Sequence, residues 1–355
     1  MNIYINGTSA ISAQNHLDPL PFPESVNVPI GEDHFTAQEP SYKEYIAPNL
    51  IRRMGRAIKM GVSASMRSLA DAGIQEVDAV ICGTGIGCFE DSEKFLLTLI
   101  DNKEALLTPT AFIQSTHNTV GAQIALLLKC HHYNMTYVQR GFSFESALMD
   151  SILMLEEGEA ANILCGGIDE MTPGYLTLQR KAGYIKAESY QGGQLCEETS
   201  PGHYMGEGTA FFVLSSRQSG STYAKLSGVE LIYKPASTTK LETAISSFLL
   251  KQGLQKEDIS LVLIGNSGDI RYEQKTRALQ NSYFKEIPQG NFKHLCGEYM
   301  TNSSFGLWLA SSIFKTGKVP AIVLTNDKKL EKVKNILIIN HFRDVEYSLI
   351  LVSQC

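Results

Sequence analysis

Apolar positions recur along this chain with two periods, and the changes of period mark its elements. Ile3 to Ser12 alternates as a strand interrupted at Gly7. Ile51, Met54, Ile58, Val62, Met66 and Leu69 return every three or four residues, one face of a helix that ends near Gly73. Val77 to Cys82 is a short apolar run that stops at Gly83, Gly85 and Gly87, a strand entering a loop. Val120, Ile124 and Leu127 give a second helix. A β-rich stretch from Thr136 then meets a small-residue turn at Gly141, a helix with Leu148, Ile152 and Leu155 on one face that ends in Gly158, and a strand Ala161 to Cys165 running into Gly166 and Gly167. Met205 to Leu214 is a further strand entry. From about Tyr223 the layout begins again, with strands at Ala224–Ile232, Ile259–Gly265, Pro320–Leu324 and within Asn335–Val352, and a helix from Glu242 to Leu250. Strand-helix-strand order in two consecutive halves predicts a duplicated α/β layout. Pro19, Pro21, Pro23, Pro29 and Pro40 predict a surface excursion between about residues 14 and 44.

Composition narrows the classes without naming one. A chain of 355 residues with 43% hydrophobic content can bury a large core. A net charge of −6 and no long basic run argue against nucleic acid. Seven cysteines form no CxxC pair, and their odd number suits a reducing cytosol. The first residues show no signal-peptide pattern and no apolar run reaches membrane-spanning length, so a cytoplasmic protein without membrane insertion is expected. Gly83-x-Gly85-x-Gly87 lacks the G-x-G-x-x-G spacing of a dinucleotide loop, and no His, Cys or acid set has metal-ligand spacing. No cofactor is implied. His117 fits a hydrogen-bonded structural role better than a catalytic one.

The turn at Gly141 carries a resemblance. Its distances to Gly158 and to Gly166-Gly167 resemble those that follow the nucleophilic cysteine of β-ketoacyl-ACP synthases, the condensing enzymes of the thiolase superfamily. Gly166-Gly167-Ile168-Asp169 is similar to their Gly-Gly-x-acid turn, and Gly206-Glu207-Gly208-Thr209 to their Gly-Glu-Gly-Ala strand entry. The resemblance implies an α/β thiolase-like fold of two similar βαβ halves, residues 1–222 and 223–355, in α-β-α-β-α layers. It also implies that the condensing residues are gone. Gly141 stands where the cysteine belongs, Ser267 and Glu298 stand where the two histidines belong, Lys293 keeps the family lysine, and Arg343 to Glu346 replaces the Gly-Phe-Gly-Gly oxyanion loop. Gln139, two residues before Gly141, matters because chain-length-factor relatives carry Gln in place of the cysteine, although the spacing favours Gly141.

The expectation is therefore a non-catalytic, chain-length-factor-like subunit acting with an active synthase in fatty acid or polyketide elongation. Its partners would be that synthase, as a heterodimer, and an acyl carrier protein presenting phosphopantetheine; isolated, the chain could form a homodimer. Thr108–Leu128 would lie at the dimer interface, with Gln114, His117, Asn118 and Phe142 near the pocket or interface. A buried Glu298 needs a cation, Arg140 or Lys293. Two other readings stay open. One is relocated acyl-transfer or thioester chemistry at Ser143, within Gly141-Phe-Ser-Phe-Glu145, or at Cys296 beside His294 on a strand. The other is a homodimer that binds acyl chains or their carrier.

Overall fold

The structure is a computed structural model that describes residues 2–14, 31–105, 107 and 109–355; the prolines at 19, 21, 23 and 29, and Thr108, lie outside the described residues. The first half runs β1 (Ile3–Ile11), β2 (His34–Phe35), α1 (Pro48–Ile51), α2 (Arg56–Ala72), β3 (Ala79–Gly83), α3 (Phe89–Asp101), α4 (Pro109–Gln114), α5 (Thr119–Leu128), β4 (Tyr133–Tyr137), α6 (Ser143–Glu157), β5 (Asn162–Asp169), α7 (Pro173–Lys181), β6 (Met205–Gly206) and β7 (Gly208–Ser215). The second runs β8 (Ala224–Tyr233), α8 (Thr238–Lys251), β9 (Leu261–Ile264), α9 (Gln274–Ala278), β10 (Gln289–Gly290), α10 (Lys293–Cys296), α11 (Ser303–Thr316), β11 (Asn335–Phe342) and β12 (Glu346–Ser353).

Ten strands form one mixed sheet in the order β10-β9-β11-β12-β8-β1-β7-β5-β3-β4. Numbered within its own half, each set of five has the same order, third-second-fourth-fifth-first, and the two first strands β1 and β8 join the sets. Helices α2 and α5 cover one face of the first set through Ile58, Val62, Val120 and Ile124. Helix α8 covers the far face of the second set through Leu241, Ile245 and Phe248. Between them lie α6 and α11, whose Leu148, Leu155, Phe305 and Trp308 share one core with Ile163 and Phe212 of the first set and Ile338 and Ile350 of the second. The layers are therefore α-β-α-β-α. Strands covered on both faces need no polar alternation, which is why Asn335–Phe342 reads as a nearly unbroken apolar run.

Several expectations are corrected. Gly7 does not break β1 but marks a bulge where the pairing with β7 shifts register. Ile51 belongs to the short α1, and the long helix starts at Arg56. Pro320–Leu324 is not a strand: Ala321–Val323 forms a 3₁₀ turn after Gly317 ends α11. Helix α3 follows the glycine loop after β3 and buries none of its residues. No described helix is long and apolar enough to cross a membrane.

Candidate functional site

The chain leaves β4 through a 3₁₀ turn, Arg140–Phe142, and enters α6 at Ser143. Arg140 is held in the left-handed region at φ 52°. The Ser143 hydroxyl fixes this turn, accepting from Gln139 N at 2.8 Å and donating to Arg140 O at 2.8 Å. Gly141 is buried at the bend, and its N–H donates to Glu346 Oε2 at 2.9 Å. That carboxylate arrives from the hairpin between β11 and β12, whose Arg343 and Asp344 both have positive φ, at 52° and 59°. A Cβ on Gly141 would stand 2.6 Å from Phe342 Cβ and 2.9 Å from Glu346 Oε2, closer than real Cβ atoms come. Burial pushes the Glu346 carboxyl up, opposed by the Gly141 N–H and the Arg140 charge.

A second carboxylate, Glu298, stands in the loop after α10. Lys293 is fully buried on α10; its Nζ contacts Glu298 Oε2 at 2.7 Å and donates to His341 O at 3.0 Å. Asn302 Nδ2 donates to Glu298 Oε1 at 2.9 Å. Burial raises the Glu298 carboxyl more than Lys293 lowers it. Ser267 is also buried, 3.4 Å from Glu273 Oε1, the oxygen that accepts from Gly268 N at 2.7 Å. Beside Glu298 lies a cavity of about 20 Å³ walled by Met171, Met205, Met300, Tyr175, Phe342 and Arg343. That holds about one water and no acyl chain. The Arg343 guanidinium lies 3.5 Å from the centre of the Tyr184 ring and donates to Gln179 Oε1 at 3.1 Å, fixing the hairpin over it. His203 lines the same cavity, neutral, with its pKa pushed down to about 3 by burial.

Two acids organise the framework around this cavity. Asp169, at the end of β5, accepts from Gly85 N at 2.8 Å, Ile86 N at 3.1 Å, Thr84 Oγ1 at 3.2 Å, Thr301 N at 2.9 Å and Thr301 Oγ1 at 2.8 Å. It thereby ties the glycine loop after β3 to the loop after α10, and Gly85 N and Ile86 N are occupied by a carboxylate of the chain itself. Glu207 holds the Arg56 guanidinium with both oxygens and accepts from Ala37 N and Met171 N. Gly206 lies against the turn beyond α10, where a Cβ would stand 2.0 Å from Cys296 O. Gly166 and Gly167 stand where side chains of Phe211, Thr301 and Ser304 pack onto β5, and Gly208 lies over Ile11 O.

The other sequence candidates separate. Ser143 is buried and its hydroxyl is committed to the turn, so it is not an exposed nucleophile. His294 and Cys296 lie on a helical turn, not a strand, and successive side chains there diverge. The Cys296 thiol donates to Gly297 O at 3.4 Å and burial raises its pKa well above the usual thiol range, while His294 is pushed down to about 4 by burial. Arg140 is not the partner of Glu298; Lys293 is. Phe142 is buried, His117 and Asn118 are exposed, and half-buried Gln114 donates from Nε2 to Arg53 O, so these four do not converge on the cavity. Sequence reasoning missed Glu145, fully buried on α6 with Ser348 Oγ donating to Oε1 at 2.6 Å. Its signal was present, because Glu145 falls three residues before Leu148 on the same apolar stripe. His203 had no such signal.

A sequence profile of the β-ketoacyl synthase N-terminal domain matches residues 31–219, more than half of the chain. The chain belongs to the β-ketoacyl synthase family. No curated protein matches it in sequence. Among solved structures, the ishigamide ketosynthase/chain length factor has a TM-score of 0.82 at 18% identity, covering 100% of this chain and 99% of that one. A β-ketoacyl synthase from Burkholderia phymatum gives 0.82 at 14% identity with 100% and 99% coverage. The ketosynthase ApeO in complex with its chain length factor ApeC, from Xenorhabdus doucetiae, gives 0.76 at 14% identity with 100% and 98% coverage. At these identities the likeness is one of fold. Within this β-ketoacyl synthase fold, the turn before α6 holds a glycine backed by a carboxylate, and the loop after α10 holds an internal ion pair.

Proposed function

We propose that this chain is a non-catalytic, chain-length-factor-like subunit that works with a complete β-ketoacyl synthase in fatty acid or polyketide chain elongation. The observation that carries the reading is the Gly141 N–H bonded to Glu346. Condensation needs a thiolate at that turn, and an N–H free to meet the oxyanion that forms when the thiolate adds to a thioester. Here the turn has no side chain, and a carboxylate oxygen occupies the N–H and would repel a developing oxyanion. Glu298 and Ser267, at the two histidine positions, offer no imidazole N–H to an enolate. Two solved structures of the same fold, a ketosynthase/chain length factor and a ketosynthase in complex with its chain length factor, support a paired mode of action. In this reading residues 1–222 and 223–355 are the two thiolase-like halves, and the carrier-bound phosphopantetheine thioester is processed by the partner.

The test is an elongation assay with malonyl- and acyl-carrier protein, run on this chain alone, on the ketosynthase that co-purifies with it at one-to-one, and on the pair. The expected result is no decarboxylation or condensation by the chain alone and a defined product length from the pair. Condensation by the pure chain would overturn the reading. Thioester hydrolysis or stoichiometric acyl binding by a pure homodimer would favour the other two readings instead.

A further inference from the structure

The second half carries a cavity of about 380 Å³ beside β10, within the size range of small-molecule pockets and sharing no lining residue with the small cavity beside Glu298. Gln280 and Asn281 on its wall belong to a π-helical turn, Leu279–Tyr283, closed by Phe284 N donating to Leu279 O at 2.9 Å. Single turns of this kind recur at functional sites. The wide turn leaves carbonyls to be satisfied from outside, and buried Gln289 does this, its Nε2 donating to Gln280 O and Phe284 O at 2.9 Å each. Gln289 therefore has its Oε1 to offer the cavity. Gln280 is the reverse case: its Oε1 accepts from Asn266 Nδ2 at 2.7 Å, which leaves its NH2 group. Arg277 is fixed along one edge, with Nε and Nη2 donating to Glu273 Oε2 at 3.2 and 2.9 Å and Nη2 also to Glu198 O, so Nη1 is the nitrogen it can turn to a ligand. Thr325 in the same lining keeps its Oγ1 buried without a partner among the described residues.

Charge and polarity select the occupant. Lys285 and Lys328 join Arg277 in the lining, against one carboxylate, Glu197. Lys285 is exposed, and Lys328 is paired with the exposed Glu286, a surface pair of little worth that an anion can displace. Among the described residues no aromatic or aliphatic side chain lines the cavity, so neither a nucleobase nor an acyl chain has a surface to lie on. We infer that the cavity binds a phosphorylated polyol of hexose monophosphate size. Its phosphate meets Arg277 Nη1, Lys285 and Lys328 in charge-assisted hydrogen bonds, and the guanidinium is already held in place for it. Its hydroxyls donate to the Glu197 carboxylate and Gln289 Oε1 and accept from the amides of Gln280 and Asn281. Glu197 accepts from a hydroxyl but would repel a second phosphate, which favours a monophosphate. This site goes beyond the paired reading of function and does not depend on it.

The experiment is isothermal titration of the full chain with glucose 6-phosphate, glucose, inorganic phosphate and AMP at fixed ionic strength. It is run on wild type, on K285A/K328A and on a control, K240A/K318A, whose two exposed lysines do not line the cavity, with circular dichroism to verify folding of each variant. Saturable one-to-one binding of glucose 6-phosphate is expected, at least about tenfold tighter than that of inorganic phosphate or AMP, with no binding of glucose. K285A/K328A should weaken it at least about tenfold, and the control should leave it unchanged. Absence of saturable glucose 6-phosphate binding overturns the inference, and so does AMP or inorganic phosphate binding as tightly as the sugar phosphate. Unaltered binding by K285A/K328A places the ligand elsewhere and also overturns it. Equal weakening in both double variants overturns it too, because it marks a diffuse field of surface charge instead of a site.

Discussion

At position 141 two atoms decide what the residue can be: Phe342 Cβ and Glu346 Oε2, 2.6 and 2.9 Å from where a Cβ would stand. Gly141→Cys is therefore expected to destabilise the protein by about 1–3 kcal/mol, because the Phe342 Cβ is fixed to backbone and cannot swing away. The same variant should form no acyl-enzyme when incubated with acyl-carrier protein and examined by intact mass, since Glu346 still holds the N–H. A thioester adduct on Cys at 141 would contradict this. Glu145 makes a pH prediction. Burial pushes its carboxyl from 4.5 up to about 7, ahead of the Ser348 and Ser303 hydrogen bonds that lower it. Below pH 4.5 folded and unfolded chains both hold this proton and no penalty applies. As pH rises toward 7 the unfolded chain ionises while the folded one stays protonated, so stability falls, by an amount of the order of 3 kcal/mol that is complete above about 7. Glu170, also raised to about 7 by burial, acts in the same direction. Glu145→Gln should leave stability at pH 4 nearly unchanged and raise it at pH 8, read from urea midpoints. An unchanged pH slope in that variant would place the Glu145 proton elsewhere.

At the scale of elements, α10 and the turn after it hold the site together through one ion pair. Lys293→Met leaves Glu298 buried without its cation and is expected to cost about 3–5 kcal/mol in urea unfolding, whereas K293M/E298L should recover most of that loss. A double variant as unstable as the single one would mean that the pair positions the His341 carbonyl and Asn302 rather than merely satisfying two charges. The same short element shows where periodicity misleads. Lys293–Cys296 is four residues long, too short for a helical period to declare itself, so His294 and Cys296 could be read as neighbours on one strand face. The longer segments, α2, α5 and α6, span enough turns for their apolar stripes to be legible, and their ends fell at Gly73, Lys129 and Gly158, all with left-handed backbone. Helix α3 was not legible because its apolar Leu96, Leu97 and Ile100 face outward and none of its residues is buried.

At the scale of the molecule, α11 contacts β1 and β7 of the first set of strands and β11 and β12 of the second, so the central core is shared between the two sets. Trp308, the single tryptophan, is buried on this helix. Its fluorescence and the far-ultraviolet circular dichroism are expected to change at one denaturant midpoint. Two separated midpoints would show the halves unfolding independently. The shared helix also bears on the site, because Glu298, Thr301 and Asn302 stand directly before α11 while Gly141 and Glu145 stand at the start of α6. The two central helices bring the ends of both halves to one small volume. The framework acid Asp169 spans the same boundary through Thr301.

What the sequence determined by itself is the material of this fold: two runs of strand-helix-strand, apolar stripes long enough to count, and the glycine spacing around position 141 that carries the resemblance to the family's scaffold. These follow from local periods and short distances along the chain. What only the tertiary structure decided is which groups meet at that turn. Glu346 and Gly141 are 205 residues apart in sequence, and Ser348 and Glu145 are 203 apart. Arg140 and Lys293 were equal candidates to neutralise Glu298 until the packing of α10 against β11 put Lys293 inside and Arg140 at the open end of β4. A carboxylate states its charge in sequence but not its partner, because the partner is set by which strand ends the layers bring together.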